Sequence, residues 1–312
     1  MTATEATAYL TAALRAALPG ADAVMRVYEE GGWDVEEKAD KSPLTRADRE
    51  AHDVIVETLE GETPNTPILS EEGAHLPFDT RSTWRRLWVV DPLDGTKEFL
   101  SRNGEFTVNI ALVEAGVPVL GVVAVPALDT YYVAAGGRGA YRAARAELEA
   151  VLGAVAAGDD PAGALAGRTR RITAAPDGNA PGAGGTAPGN DAPGSTGPDP
   201  APVRVVASRS HLNAETEAFI EALRERHGEV ELVQAGSAVK LCRVAEGAAD
   251  YYPRLAPTME WDTAAGDAVV REAGGRVFEA ASDGTTDRGE LTYNKEDLHN
   301  PFFIAVGQGM EL

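Results

Sequence analysis

Between Arg46 and Glu60 the apolar residues Ala47, Ala51, Val54, Ile55 and Leu59 recur at helical spacing, with polar and charged residues filling most of the rest. That period predicts an amphipathic helix with one buried stripe. Thr45 stands just ahead of it and suits its N-cap. The chain before it predicts one earlier helix, so residues 1–60 read as two helical segments. The pattern then changes. Pro67-Ile68-Leu69-Ser70 is a short apolar strand running into Glu71-Glu72, and Trp88-Val89-Val90 is aromatic, β-branched and uncharged. Pro92 has no N–H to give a ladder and is expected to end that strand. From Glu105 to Tyr141, runs at 108–113, 118–125 and 131–133 are separated by the turns Glu114-Ala115-Gly116 and, later, Gly136-Gly137. Consecutive strands joined by short turns predict an antiparallel sheet.

Ala143 to Ala157 places Leu148, Val151, Leu152 and Val155 on one side and predicts a further helix. Ala174 to Pro202 contains only Ala, Pro, Gly, Asp, Asn, Ser and Thr. Such a stretch buries too little to offset its ordering entropy, so it reads as a disordered surface insertion without a catalytic part. Beyond it strands at 203–207, 230–233, 250–252 and 276–278 alternate with helices at 214–226, 237–245 and 263–273. Gly274-Gly275 closes the last helix. The expected organisation is an α+β lobe over 1–142, an insertion region over 143–202, and a smaller α/β lobe over 203–312.

With 312 residues, 44% of them apolar, the chain has room for two such cores. No run of about 18 uncharged apolar residues is present, so no membrane-spanning helix is expected. Residues 1–20 lack a basic start before an apolar core and read as a helix, not a signal peptide. Cys242 is the single cysteine, which excludes an intramolecular disulfide and fits a reducing cytoplasm. The formal net charge of −21 argues against nucleic acid as a partner. An anionic substrate would need a local cluster of cations and metal to overcome that field.

Two stretches carry candidate chemistry. In Asp91-Pro92-Leu93-Asp94-Gly95-Thr96 two carboxylates crowd the end of a strand. Like charges so close repel unless a divalent cation lies between them, which suggests a Mg²⁺ site. Gly95 and Thr96 add backbone N–H groups and a hydroxyl suited to a phosphate. In Trp261-Asp262-Thr263-Ala264-Ala265-Gly266, Asp262 is expected at the N-cap of the last helix, where small residues allow close approach and the helix end attracts anions. Taken alone, Asp262 reads as a capping residue and Glu71-Glu72 as a solvated pair. Spacing by itself does not bring these acids together.

Together, Ser70-Glu71-Glu72, Asp91-to-Thr96 and Trp261-to-Gly266 resemble the three motifs of the lithium-sensitive, Mg²⁺-dependent inositol monophosphatase superfamily. Three motifs in the right order are far more specific than any one. Within the superfamily the chain is most similar to the bacterial 3′(2′),5′-bisphosphate nucleotidases. Lys41-Ser42-Pro43, Lys97-Glu98-Phe99, Arg102 to Ala111, Ser208-Arg209-Ser210-His211, Gly236-Ser237, Lys240 and Tyr252-Pro253-Arg254 carry that similarity. It covers about 38–142 and 203–305; residues 143–167 and 174–202 have no counterpart in the pattern, and Ala238 replaces a frequent serine.

The resemblance implies an α/β fold of alternating helix and sheet layers. It implies two or more Mg²⁺ ions held by Glu71, Asp91, Asp94, Asp262 and the Leu93 carbonyl. Thr96 with Asp48 would orient the attacking water, with Glu71 also in the catalytic set. Gly95 and Thr96 would hold the phosphate, and Ser208, His211, Lys240 and Arg254 the rest of the nucleotide. The implied reaction removes the 3′-phosphate of adenosine 3′,5′-bisphosphate, giving AMP, with the 3′-phosphorylated sulfate donor as a second substrate. Li⁺ and Ca²⁺ would inhibit. The expected protein is a monomer or homodimer acting on a small molecule. Alternatives are an inositol monophosphate or fructose 1,6-bisphosphate phosphatase, and a catalytically silent nucleotide-binding regulator.

Overall fold

Two helices open the chain, α1 (Ala3–Glu30) and α2 (Arg46–Glu62), and each starts on a threonine. The Thr45 hydroxyl accepts the Ala47 N–H, while the Asp48 carboxylate accepts the Thr45 N–H at 2.8 Å. This reciprocal cap fixes the first turn and takes up two orphan donors. Ala47, Ala51, Ile55 and Leu59 are buried, as their spacing requires, and α2 packs them against α1. The computed structural model describes residues 2–31, 35–37, 43–74, 76–175, 201–207, 213–281, 284–285 and 289–312. The short strands β1 (Val35–Glu37) and β2 (Pro43–Thr45) pair between the two helices.

A seven-stranded sheet follows, built from β3 (Ile68–Ser70), β4 (Arg86–Asp94), β5 (Thr107–Glu114), β6 (Val117–Val125), β7 (Thr130–Ala135), β8 (Ala140–Ala143) and β9 (Arg170–Ile172). Its order is the order of the chain. β3 runs parallel to β4, and every other pair is antiparallel, as the short turns predict. The helices α3 (Phe78–Arg81) and α4 (Thr96–Leu100) flank β4. Between β8 and β9 lie α5 (Arg145–Ala156), where a helix is expected, and α6 (Pro161–Arg168), which the Ala/Gly-rich sequence did not announce. The sheet therefore continues past residue 142 to Ile172. Of the stretch 174–202, only 174–175 and 201–202 are among the described residues.

The second sheet is mixed and five-stranded. Its members are β10 (Val203–Ala207), β11 (Val230–Gln234), β12 (Tyr251–Arg254), β13 (Arg276–Glu279) and β14 (Phe303–Val306), in the order β11-β10-β12-β14-β13. The helices of this half are α7 (Ala214–His227), α8 (Val239–Ala245) and α9 (Glu260–Glu272). The first sheet packs one face on α1, α2, α5 and α6. Its other face meets α8 and α9, which the second sheet covers in turn, and α7 closes the far side. The result is the alternation of helix and sheet layers that the resemblance implies.

Three local expectations are corrected. Pro92 does not end its strand: β4 runs on to Asp94, with the register to β5 shifted between Asp91 and Asp94. A bulge tolerates proline because the ladder asks for no N–H from the bulged position. α8 starts at Val239, not Ser237, because Ser237 takes a left-handed φ of 48°. α9 starts at Glu260, so Asp262 is its third residue and not its N-cap.

α9 lies very close to the first sheet. A β-carbon added at Gly121 on β6 would stand 2.5 Å from the Ala265 carbonyl oxygen and 2.9 Å from Ala268 Cβ. Gly121→Ala should therefore push α9 outward and cost about 1–3 kcal/mol, the usual scale of overpacking. A urea unfolding midpoint equal to the parent's would refute that account.

Candidate active site

In a regular strand, residues three apart point to opposite faces, yet Asp91 and Asp94 must share one to act together. The bulge at Pro92 supplies the correction. Asp91 pairs across with Asn109 and Asp94 with Thr107, two β5 residues that share a face. The Asp91 side chain, 1% exposed, accepts the Leu93 N–H at 3.0 Å, which folds the bulge back on itself. Gly95 follows with φ 85° and ψ 46°, and α4 begins at Thr96. A side chain at Gly95 would be strained by that φ and would also strike Ser237 Oγ at 2.5 Å. The Ser237 hydroxyl donates to the Asp94 carbonyl at 2.6 Å, joining the start of α8 to the acidic turn.

α9 delivers the third acid. The Asp262 carboxylate reaches back to accept the Met259 N–H at 2.8 Å, so it serves the cap from inside the helix. Asp91, Asp94 and Asp262 each offer a carboxylate oxygen, and these oxygens lie within 4.8 Å of one another. Segments far apart in the chain thus converge on one point. Burial, and then the charges of Glu71, Asp94 and Asp262, push the Asp91 carboxyl well above its usual range. Asp262 is pushed up to about 8 by burial and then by Asp94. Crowded carboxylates, one buried and two half-buried, with no thiolate or imidazole among them form a hard-oxygen donor set, which fits a divalent cation.

Glu71 stands beside the three: its side chain hydrogen-bonds with Asp91, and its charge is felt at Asp262 and Asp48. Asp48 is held on α2 by Thr45, whose hydroxyl donates to its carboxylate at 2.6 Å. Burial raises Asp48 to about 6 against the opposing pull of those Thr45 bonds. Thr96 is half-buried at the start of α4. Lys240 and Arg254 reach the same place, lining a cleft of about 60 Å³ with Asp94, Asp262, Ser237 and Tyr252. Lys240 Nζ lies 5.8 Å from the Tyr252 ring centroid. Arg254 donates to the Pro257 carbonyl at 3.0 Å and keeps a buried Nε without a partner among the described residues. Ser208 and His211 lie outside the described residues.

Sequence reading missed the braces behind these side chains. Buried Glu260 accepts the Asn294 N–H at 2.6 Å, the Lys295 N–H at 2.9 Å and Lys295 Nζ at 2.6 Å, anchoring the start of α9. Buried Arg81 donates to Asn294 Oδ1 and to the carbonyls of Leu76 and Lys295. Together they tie the segment after Glu71 to the helix that carries Asp262. No local pattern marks the bonds to Asn294 and Lys295, because they join residues distant in sequence.

Similarity to known proteins agrees with this geometry. The model of the inositol monophosphatase family matches residues 5–157 and 181–302. The match reaches residues 5–37, 143–157 and 181–202, which the motif comparison left outside. The 3′(2′),5′-bisphosphate nucleotidase CysQ of Escherichia coli K12 is 40% identical over 259 residues, spanning 83% of this chain and 85% of that protein. Its Salmonella typhimurium counterpart is 41% identical over 260 residues, with the same coverage. The crystal structure of CysQ from Bacteroides thetaiotaomicron superposes with a TM-score of 0.76 at 45% identity, covering 97% of this chain and 98% of that one. With a family match over most of its length and a common arrangement of layers, the chain belongs to the inositol monophosphatase family.

Proposed function

We propose that this protein is a Mg²⁺-dependent phosphatase that hydrolyses the 3′-phosphate of adenosine 3′,5′-bisphosphate to AMP and phosphate. The observation that carries the reading is the meeting of Asp91, Asp94 and Asp262, the last two of which line a cleft with Lys240 and Arg254. A trio of acids suits a cation, and two basic groups beside it suit a substrate with a second phosphate. The nucleotidase name of the E. coli and Salmonella typhimurium relatives favours the nucleotide over inositol phosphate.

Glu71, Asp91, Asp94, Asp262 and the Leu93 carbonyl would hold the ions. Bound Mg²⁺ would supply charge neutralisation at the phosphoryl oxygens and an acidified water. The chain's own groups do the rest. Asp48, lifted to about 6, can take and return a proton near neutrality, with Thr96 orienting the water toward it. The N–H groups of Gly95 and Thr96 would fix the phosphate at the end of the acidic turn. Arg254 would grip the second phosphate and Lys240 would act as a point charge, with Ser208 and His211 completing the nucleotide site. The 3′-phosphorylated sulfate donor is a second substrate, and the reducing cytoplasm is the compartment we infer. Among the described residues no helix is long and apolar enough to cross a membrane.

Phosphate release from adenosine 3′,5′-bisphosphate, compared with inositol 1-phosphate, tests the reading. Release should require Mg²⁺, stop in a chelator, and fall with Li⁺ or Ca²⁺. Faster turnover of inositol 1-phosphate would reverse the substrate assignment. Arg254→Ala should raise KM for the bisphosphate about 10–100-fold, the worth of a hydrogen bond to a charged group. It should leave inositol 1-phosphate turnover little changed.

A further inference from the structure

Alternation along β5 sends Val108, Ile110 and Leu112 into the layer of α1 and α2, and Ala111 and Val113 toward α9. Thr107 and Asn109 share the α9 face. Thr107 already belongs to the acidic site, its hydroxyl 3.4 Å from Asp94 Oδ2. Asn109 is the next residue along that row. It is 1% exposed, and neither its Nδ2 nor its Oδ1 has a hydrogen-bond partner among the described residues. Leaving a buried polar group unpaired costs about 1–3 kcal/mol, so an amide held in such a place calls for an explanation. Its other cross-strand neighbour, Val123 on β6, offers no polar side chain. Its neighbour on β4 is Asp91. Directly opposed residues of an antiparallel pair stand about 4.5–5.5 Å apart at Cα, within reach of two short side chains.

An ionised carboxylate has room for about four hydrogen bonds or ligands. Asp91 Oδ1 takes the Leu93 N–H, and the carboxylate meets Glu71, Asp94 and Asp262 on the side of the cluster. A donor is still wanted from the β5 side once the group carries a full negative charge. Asn109 Nδ2 is a buried, unspent donor on that side. We propose that Asn109 is a positioning residue: its side-chain amide donates to the Asp91 carboxylate when that carboxylate binds a divalent cation, fixing the ligand's orientation. The inference rests on the reading above that Asp91 is a cation ligand. Asn109 touches neither substrate nor ion and acts only through Asp91.

Asn109→Leu, of similar size and without an amide, tests it, with Asn109→Ala as a second variant should the leucine prevent folding. Melting temperature is followed against Mg²⁺ concentration in nucleotide-free protein, and the Mg²⁺ requirement of phosphate release is measured separately. In a chelator the leucine variant should melt at or above the parent, because a buried unpaired amide has gone. Its apparent Mg²⁺ dissociation constant should rise at least about tenfold, the scale seen when a ligand's hydrogen-bond partner is removed. The Mg²⁺ needed for half-maximal release should rise by the same factor. A purely structural role would instead lower the chelator melting point and leave the apparent Mg²⁺ dissociation constant unchanged. Binding within about twofold of the parent in both variants would overturn the proposal. Asp91→Asn, run alongside, separates the two readings. If it abolishes the Mg²⁺ response while the Asn109 variants keep it, only the positioning role fails. If the parent itself shows no Mg²⁺ response, the cation reading and this inference fall together.

Discussion

Asp94→Asn should lower kcat on adenosine 3′,5′-bisphosphate by on the order of 10³-fold or more at saturating Mg²⁺, about 4 kcal/mol of barrier. The substitution is nearly isosteric, so the bulge should survive, and the Ser237 bond to the Asp94 carbonyl is a backbone contact that it does not touch. What it removes is one of three carboxylates whose oxygens lie within 4.8 Å of one another. In a chelator the same variant should be at least as stable as the parent, because it relieves repulsion in a buried cluster. Loss of activity together with retained stability is the signature of a functional group, not a structural one. Near-normal turnover at saturating Mg²⁺ would remove Asp94 from the cation site.

The second large effect concerns pH without the ion. Asp262 is raised from its ordinary value to about 8, so the folded chain holds its proton where the unfolded chain has lost it. Between about pH 4 and pH 8 the native state then binds more protons than the unfolded state, and stability falls as pH rises through that window. In a chelator the unfolding free energy should drop by on the order of 3 kcal/mol from pH 5 to pH 8, with Asp91 acting in the same direction. Added Mg²⁺ should flatten the profile, since it binds the ionised carboxylates of the folded chain. Asp262→Asn should lessen the slope without any ion, leaving the part that Asp91 contributes. Urea midpoints across that range, with and without Mg²⁺, give the answer. An unchanging midpoint in the chelator would show that these acids do not repel one another as drawn.

Much of this was legible in the sequence because it is local. The stripe of Ala47, Ala51, Ile55 and Leu59, the Thr45 cap, and the turns between β5, β6 and β7 depend on neighbours a few residues away. The acidic motifs were legible as chemistry, and resemblance supplied their convergence, which spacing could not. What the sequence hid was non-local. Pro92 reads as a terminator by its missing N–H, but the pairing of Asp94 with Thr107 beyond it carries the strand through. Asp262 reads as a cap from its place before small residues; the bonds of Glu260 to Asn294 and Lys295 start the helix earlier. β14 escaped notice because Phe303 to Val306 is short and finds its partners in β12 and β13. Asn109 could not be distinguished from an ordinary strand asparagine until its neighbours were known.

The tight seat of α9 against Gly121 has a wider implication. One helix is both a wall of the hydrophobic interior and the arm that presents an acid to the reaction centre. Interior volume and chemical alignment are therefore a single mechanical variable, and a change of one methyl group in the first displaces the second. Engineering this enzyme for greater heat resistance by filling its interior would have to leave that contact alone or trade turnover for it.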